Sequence, residues 1–329
     1  MSDVVALGEL LIDFAQISAD RRGYPLLQAQ PGGAPANFLM AVCRYGHTGH
    51  MLSKVGDDTF GHLLVGTLKD AGIDADGVVI DSEYFTTLAF VTLDENGDRS
   101  FSFARKPGAD TQLRYDEIGL KKLKGRDVFH FGTLSMTSQT GLEMTMDCLR
   151  YVTDRDKLIS FDPNLRLPLW NSEEDARAAI IRGLNWSDVV KISLEEIDFA
   201  YGKTDADDLE RAEAGRKKIL EEYPARLVHV TMGDKGCYSS TSAAGCFVSV
   251  PPGLSVIDTT GAGDIFGGAA MAMLLRKGYT AKESLDSITL QELTDIVSFA
   301  VTAASLSATR PGGMPSVPDE SEVFALTDK

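Results

Sequence analysis

Asp258-Thr259-Thr260-Gly261-Ala262-Gly263-Asp264-Ile265-Phe266-Gly267-Gly268-Ala269-Ala270 follows the apolar pair Val256-Ile257 and opens a run of small and apolar residues with helical character. The first turn of a helix has backbone N–H groups without partners and the positive end of the helix dipole, so Gly261, Ala262 and Gly263 can bring bare amides close to an anionic phosphate. Asp264 falls in that turn, where a carboxylate is stabilised and aimed at the same pocket. Amides that hold a transferring phosphoryl group, beside a carboxylate that takes the proton of an attacking hydroxyl, are the parts that phosphoryl transfer requires. Taken singly, an Asp at a helix start reads as a cap and a Gly-rich turn as a turn. A charge aimed out of an otherwise apolar helix asks for a further reason.

Around this stretch, short β-rich runs at Val4–Leu7, Val128–Phe131, Leu158–Phe161, Val189–Ile192 and Leu227–Thr231 alternate with helical patterns near 35–45, 58–71, 140–153, 174–185, 208–222, 264–276 and 290–307. The rhythm predicts an α/β fold with a parallel sheet covered by helices on both faces. No linker or repeat divides the chain, so a single domain over 1–329 is expected. One segment breaks the alternation: Thr87–Leu93 and Arg99–Phe103 flank Asp94-Glu95-Asn96-Gly97-Asp98 and read as a β-hairpin, either an edge ribbon or a lid.

The 329 residues carry 48 acidic against 32 basic side chains, a net charge of −16. A globular chain of this length buries about three quarters of its unfolded surface. Its negative field repels polyanions, which argues against a nucleic-acid partner while leaving room for a local basic patch around one small anion. Cys43, Cys148, Cys237 and Cys246 show no C-x-x-C spacing and are too sparse for a disulfide scaffold, so reduced thiols in a cytoplasm are expected. The N-terminus has no basic region before its apolar run, and no apolar stretch reaches the roughly 18 residues that span a bilayer, so neither a signal peptide nor a membrane partner is expected.

Other nucleotide and catalytic motifs fail on inspection. Phe266 stands where G-x-G-x-x-G needs its third glycine, and Ile197 where a P-loop ending at Gly202-Lys203-Thr204 needs its first. Near the N-terminus, Gly8-Glu9-Leu10-Leu11-Ile12-Asp13 and Pro31-Gly32-Gly33-Ala34-Pro35-Ala36-Asn37 place an Asp at the end of an apolar run and an Asn at a helix start, groups suited to sugar hydroxyls. By themselves they also read as a strand end and a Pro-started helix.

Gly32-Gly33-x-x-x-Asn37 and Asp258-Thr259-Thr260-Gly261-Ala262-Gly263-Asp264 together resemble the two signatures of the ribokinase-like (PfkB) carbohydrate kinases, and the resemblance runs from about Val4 to Pro318. It implies a three-layer α/β/α sandwich with a small β-sheet lid over a sugar site, the lid formed by about residues 13–33 and 85–107. It also implies ATP as phosphoryl donor, Mg2+, and often an activating monovalent cation such as K+, with a homodimer joined through the lid. Carried over residue by residue, Asp264 is the base and the amides of Gly261, Ala262 and Gly263 hold the phosphoryl charge. Asp13, Gly32, Gly33, Asn37, Phe103, Arg105 and Arg166 surround the sugar. Asn164, Lys191, Ser193, Thr231, Gly233, Gly236, Gly261 and Gly263 meet the nucleotide. Glu196 handles Mg2+ through water, and Asp258 and Thr260 hold the monovalent cation.

Within the family, the stretches at 8–14, 31–37 and 103–110 are similar to the fructokinase form, which implies phosphorylation of D-fructose to fructose 6-phosphate. Asp162-Pro163-Asn164-Leu165-Arg166 is shared by fructokinases and 2-keto-3-deoxygluconate kinases, so the second activity stays as an alternative, as does a sugar-binding regulator of the same fold that has lost turnover. Ser193-Leu194-Glu195-Glu196 replaces the family's N-x-x-E element while keeping the glutamate, and Val301 stands where relatives often carry an Asn beside the adenine.

Overall fold

Short runs of apolar residues buried on both faces make the middle of a parallel sheet, and Val4-Val5-Ala6-Leu7 is such a run, each residue at most 2% exposed. The computed structural model describes residues 2–93, 99–119 and 122–327. In chain order its strands are β1 (Asp3–Leu7), β2 (Leu11–Ala19), β3 (Pro25–Gly32), β4 (Thr48–Gly56), β5 (Asp74–Asp81), β6 (Leu88–Leu93), β7 (Arg99–Ala104), β8 (Val128–Gly132), β9 (Leu158–Asp162), β10 (Val189–Ser193), β11 (Leu227–Thr231), β12 (Cys237–Ser240) and β13 (Gly245–Val248). The helices are α1 (Ala34–Arg44), α2 (Thr59–Asp70), α3 (Tyr115–Ile118), α4 (Gln139–Thr153), α5 (Glu173–Leu184), α6 (Leu194–Tyr201), α7 (Asp208–Glu222), α8 (Ala262–Arg276), α9 (Leu290–Ser307) and α10 (Glu320–Thr327).

A nine-stranded sheet runs in the order β13-β12-β11-β10-β9-β8-β1-β4-β5 and is parallel except at its β11–β12–β13 edge. Alternate residues of each strand face opposite sides. Val4 and Ala6 therefore join the core under α1, α2, α8 and α9, while Val5 and Leu7 join the core under α4, α5, α6 and α7. The result is the expected helix–sheet–helix sandwich. Among the described residues no helix is long and apolar enough to cross a membrane.

A second sheet, β3-β2-β6-β7, stands off the first. Its β6–β7 pair is the hairpin expected from the sequence, with Leu88 opposite Ala104; the turn Asp94–Asp98 lies outside the described residues. The strand does not end at Asp13: β2 continues to Ala19 and sets Asp13 between Gln30 of β3 and Ala89 of β6.

Helix α8 packs closely on α1 through a glycine. A Cβ at Gly268 would lie 2.3 Å from the Phe38 carbonyl oxygen and 2.8 Å from Ala41 Cβ, whereas one at Gly267 would make an ordinary 3.5 Å contact with Phe38. Gly268→Ala is expected to lower stability by about 1–3 kcal/mol through overpacking. Gly267→Ala is expected to be neutral or to stabilise by up to about 1 kcal/mol through helix propensity. Urea denaturation of the two variants checks this, and equal losses would contradict the close α1–α8 packing.

Candidate active site

The site is assembled at the carboxyl ends of the parallel strands, where loops of an α/β sheet commonly meet ligands. Gly261 caps α8 with φ 75°, a left-handed conformation that favours glycine, and a Cβ there would sit 2.9 Å from Asn37 Nδ2. That arrangement puts Asp264 in the first turn of α8. Asn37 Nδ2 donates to Asp264 Oδ2 at 2.9 Å and Asn164 Nδ2 to Oδ1 at 3.0 Å. Both asparagines are buried, one on α1 and one just past β9, so two remote elements converge on one carboxylate. The Ala262 N–H bonds the Thr259 carbonyl at 3.2 Å. Among the described residues this leaves the amides of Gly261, Gly263 and Asp264 as the donors at the helix start.

Two cavities meet here. The larger, about 590 Å³, lies between the small sheet and the α8 turn, and Asp13, Gln28, Gln30, Asn37, Arg166 and Asp264 supply polar groups to its wall. Loss of water pushes Asp264 up to about 6, against the opposing pull of the Asn37 hydrogen bond and the Lys191 and Arg166 charges. Burial likewise raises Asp13 to about 6; Arg166 opposes the shift, and the charges of Asp264 and Asp258 add to it. Buried His130 and His229 are both pushed down to about 3, so neither supplies a base that titrates near neutrality.

The second cavity, about 520 Å³, is bounded by Lys191, Ser193, Thr231, Gly233 and Gly236 at one end and by Val256, Val301 and Ala304 at the other. Thr259 lines both cavities, so they adjoin at the loop that leads into α8. Lys191 Nζ lies 3.0 Å from Asp162 Oδ2, and a Cβ at Gly263 would come 2.9 Å from the same Nζ. Burial works against the Lys191 charge, but Asp162, Glu196 and Asp264 outweigh it and hold the ammonium protonated.

Of the expected residues, Asp13, Gly33, Asn37, Phe103 and Arg166 line the first cavity, and Lys191, Ser193, Thr231, Gly233, Gly236 and Gly263 line the second. Others are placed differently. Asn164 and Gly261 border the first cavity rather than the second, because Asn164 is drawn to Asp264. Gly32 lines neither cavity; a Cβ there would strike Asp13 Oδ2 at 2.2 Å, so its smallness makes room for Asp13. Arg105 also lines neither. Its guanidinium is buried against Asp110, with further bonds to Thr137 Oγ1 and the Leu134 carbonyl.

Glu196 caps α6, its two oxygens accepting from the backbone N–H groups of Ser193 and Leu165, each at 2.8 Å. Asp258 Oδ1 accepts from the Thr260 N–H and hydroxyl, and its Oδ2 from the Gly312 N–H at 2.9 Å, which ties the loop before α8 to the loop after α9. Gln28 and Gln30 belong to no motif in the sequence. Their two-residue spacing on β3 would have marked them once that strand was known.

The buried carboxylate of Asp264 thus stands at a helix start where two cavities adjoin, on an α/β sheet covered on both faces. A family model for the pfkB family carbohydrate kinases matches residues 1–320, and the chain belongs to that family: it is a carbohydrate kinase with the ribokinase-like fold. It is 36% identical over 332 residues to Fructokinase-1 from Zea mays, covering 99% of this chain and 98% of the relative. It is similar to the fructokinase of Xylella fastidiosa solved with bound ATP, with TM-score 0.89, 30% identity and coverage of 99% and 98%. It is also similar to the fructokinase of Vibrio cholerae O395 in a fructose-, ADP- and calcium-bound form, with TM-score 0.83, 30% identity and 99% of both chains covered.

The raised proton affinity of Asp13 has a stability consequence with a definite sign. Its folded-state pKa of about 6 exceeds the ordinary 3.8, so holding it ionised is a destabilising contribution, fully present above pH 6 and gone below about 3.8. Asp13→Asn is therefore expected to stabilise the ligand-free protein at pH 7.5 by about 1–2 kcal/mol, with the gain shrinking as pH falls through this window. Chemical denaturation across pH checks it; an Asn variant less stable at pH 7.5 would contradict the reading.

Proposed function

We propose that this carbohydrate kinase transfers the γ-phosphoryl group of ATP to D-fructose, giving fructose 6-phosphate. The observation that carries the reading is the adjacency of the two cavities at the start of α8, with Asp264 in the wall of the first and Thr259 in the wall of both, which sets a sugar hydroxyl and a terminal phosphate side by side. The sugar oxygen attacks phosphorus while its proton passes to Asp264, and the bond to the departing ADP oxygen breaks. The amides at the start of α8 and the Lys191 ammonium face the charge on the transferring group.

ATP fits the second cavity, whose small glycine-lined wall beside Lys191 admits phosphates and whose apolar end around Val256 and Val301 admits a base. Magnesium, carried with ATP, would draw charge from the phosphate oxygens. The fit for a protein-held ion is limited, because Glu196 already receives a backbone N–H on each oxygen and would reach the metal only through water. The Asp258–Thr260 loop is the proposed place for K+. We further read 1–329 as one kinase domain in the cytoplasm, with the β3-β2-β6-β7 sheet acting as a lid. A homodimer through that sheet is supported by the exposure of Tyr24, Leu26 and Phe85 on and beside it.

A neutral ketohexose is favoured over 2-keto-3-deoxygluconate by the cavity wall. A substrate carboxylate would have to be desolvated beside Asp13 and Asp264, and Arg105, one of the two cations expected near the sugar, is already paired with Asp110. Arg166 remains as the cation of that wall. The test is an ADP-release assay over a panel of sugars with and without K+. It is expected to give a kcat/KM for fructose at least about tenfold above that for 2-keto-3-deoxygluconate. A higher value for the acid would overturn the fructose assignment, and no turnover with any sugar would favour the regulatory alternative.

A further inference from the structure

We infer that Glu9 is a positioning residue for the Asn37–Asp264 pair, acting through the N-terminus of α1; the inference rests on the kinase reading of this site. The start of α1 lacks a side-chain cap of its own. Its N-cap is Gly33, with φ 120°, and a Cβ at that position would strike the Glu9 carbonyl oxygen at 2.4 Å. Ser, Asp or Asn, the usual caps, are thereby shut out. Glu9 supplies the missing acceptor from another part of the chain: its Oε1 takes the Ala34 N–H at 2.8 Å.

The segment that carries Glu9 is itself fastened to the sheet. Gly8 N–H donates to the Leu52 carbonyl, and Ser53 Oγ donates to the Gly8 carbonyl at 2.8 Å. Glu9 is 5% exposed, so this carboxyl belongs to the interior and is not a surface group folded back.

Helix α1 matters because it carries Asn37 one turn further on, where the Asn37 N–H bonds the Gly33 carbonyl at 3.0 Å. Asn37 Nδ2 reaches Asp264, but Asn37 Oδ1, also buried, finds no hydrogen-bond partner among the described residues. The amide is thus oriented by Asp264 on one side and by the seat of α1 on the other. A small tilt of α1 moves the Asn37 amide relative to Asp264, and displacements of about 1 Å at reacting groups cost on the order of a hundredfold in rate. The Glu9–Ala34 bond sets that seat. An acceptor oxygen is present in Glu whether or not it is protonated, and in Gln, but not in Ala.

The test compares Glu9→Gln, Glu9→Ala, Asn37→Ala and the double variant Glu9→Ala/Asn37→Ala, using ATP and the sugar that the unmodified enzyme turns over best. Glu9→Gln is expected to keep kcat within about threefold, and Glu9→Ala to lose about tenfold or more. The double variant is expected to lie within about twofold of Asn37→Ala, since both changes remove the same interaction. Glu9→Gln as damaging as Glu9→Ala, Glu9→Ala within about threefold of the unmodified enzyme, or fully additive losses would each overturn the inference. Absence of turnover in the unmodified enzyme would instead count against the kinase reading. Should Glu9→Ala fail to fold, Glu9→Gln alone decides: a loss of about tenfold in kcat in a folded protein overturns the role.

Discussion

The carboxylate of Asp264 accepts one amide hydrogen bond on each oxygen, from Asn37 and from Asn164, and the site is organised by that clamp. The donors come from α1 and from the loop after β9, so the contact brings the helix beside β1 and the middle of the sheet to the first turn of α8. Neutral amides hold the carboxylate without neutralising it. A direct lysine or arginine partner would have lowered its proton affinity, whereas here burial dominates and the group sits at about 6. That value suits a group that must be ionised before the reaction and able to take a proton during it.

The distribution of charge follows from the same constraint. On the proposed reading, a chain with a net charge of −16 has to accept a polyanionic donor, and local groups rather than an overall field would do so. Lys191 is buried and kept charged by Asp162, Glu196 and Asp264, while the start of α8 contributes backbone donors that carry no net charge. Arg166 is exposed at the rim of the first cavity, where its charge reaches both Asp13 and Asp264. Arg105 serves the architecture instead. Together with Thr87 Oγ1 it converges on Asp110, so both feet of the β6–β7 hairpin are fixed to one carboxylate.

Much of the frame was legible in the sequence because the strands at Val4, Val128, Leu158, Val189 and Leu227 are continuous apolar runs, and burial on both faces leaves no other reading at that length. Strand β4 was hidden. Its Lys54 is 2% exposed and is accommodated because Asp81 and Glu117, distant in sequence, each accept from Nζ at 2.8 Å and the Gln112 carbonyl accepts at 3.1 Å. Strands β12 and β13 span four residues each, too short for a pattern. Within the site, Asp264 and the glycines before it could be read because a helix start has only one geometry. The Arg105–Asp110 pair, the Ala262 turn bond and the Glu9–Ala34 cap depend on where side chains and loops meet in space, and a motif records residue types without that information.

The claim that Asp264 is the base at the junction of the two cavities is tested most directly by the pH dependence of kcat/KM in the unmodified enzyme and in Asp264→Asn. With a proton affinity near 6, the unmodified enzyme is expected to lose activity as pH falls through about 6, because protonation removes the base. Asp264→Asn is expected to bind nucleotide, to turn over at least about a hundredfold more slowly, and to keep only the acid limb that Asp13 contributes. Turnover within a few-fold of the unmodified enzyme, with the acid limb still in place, would contradict the account.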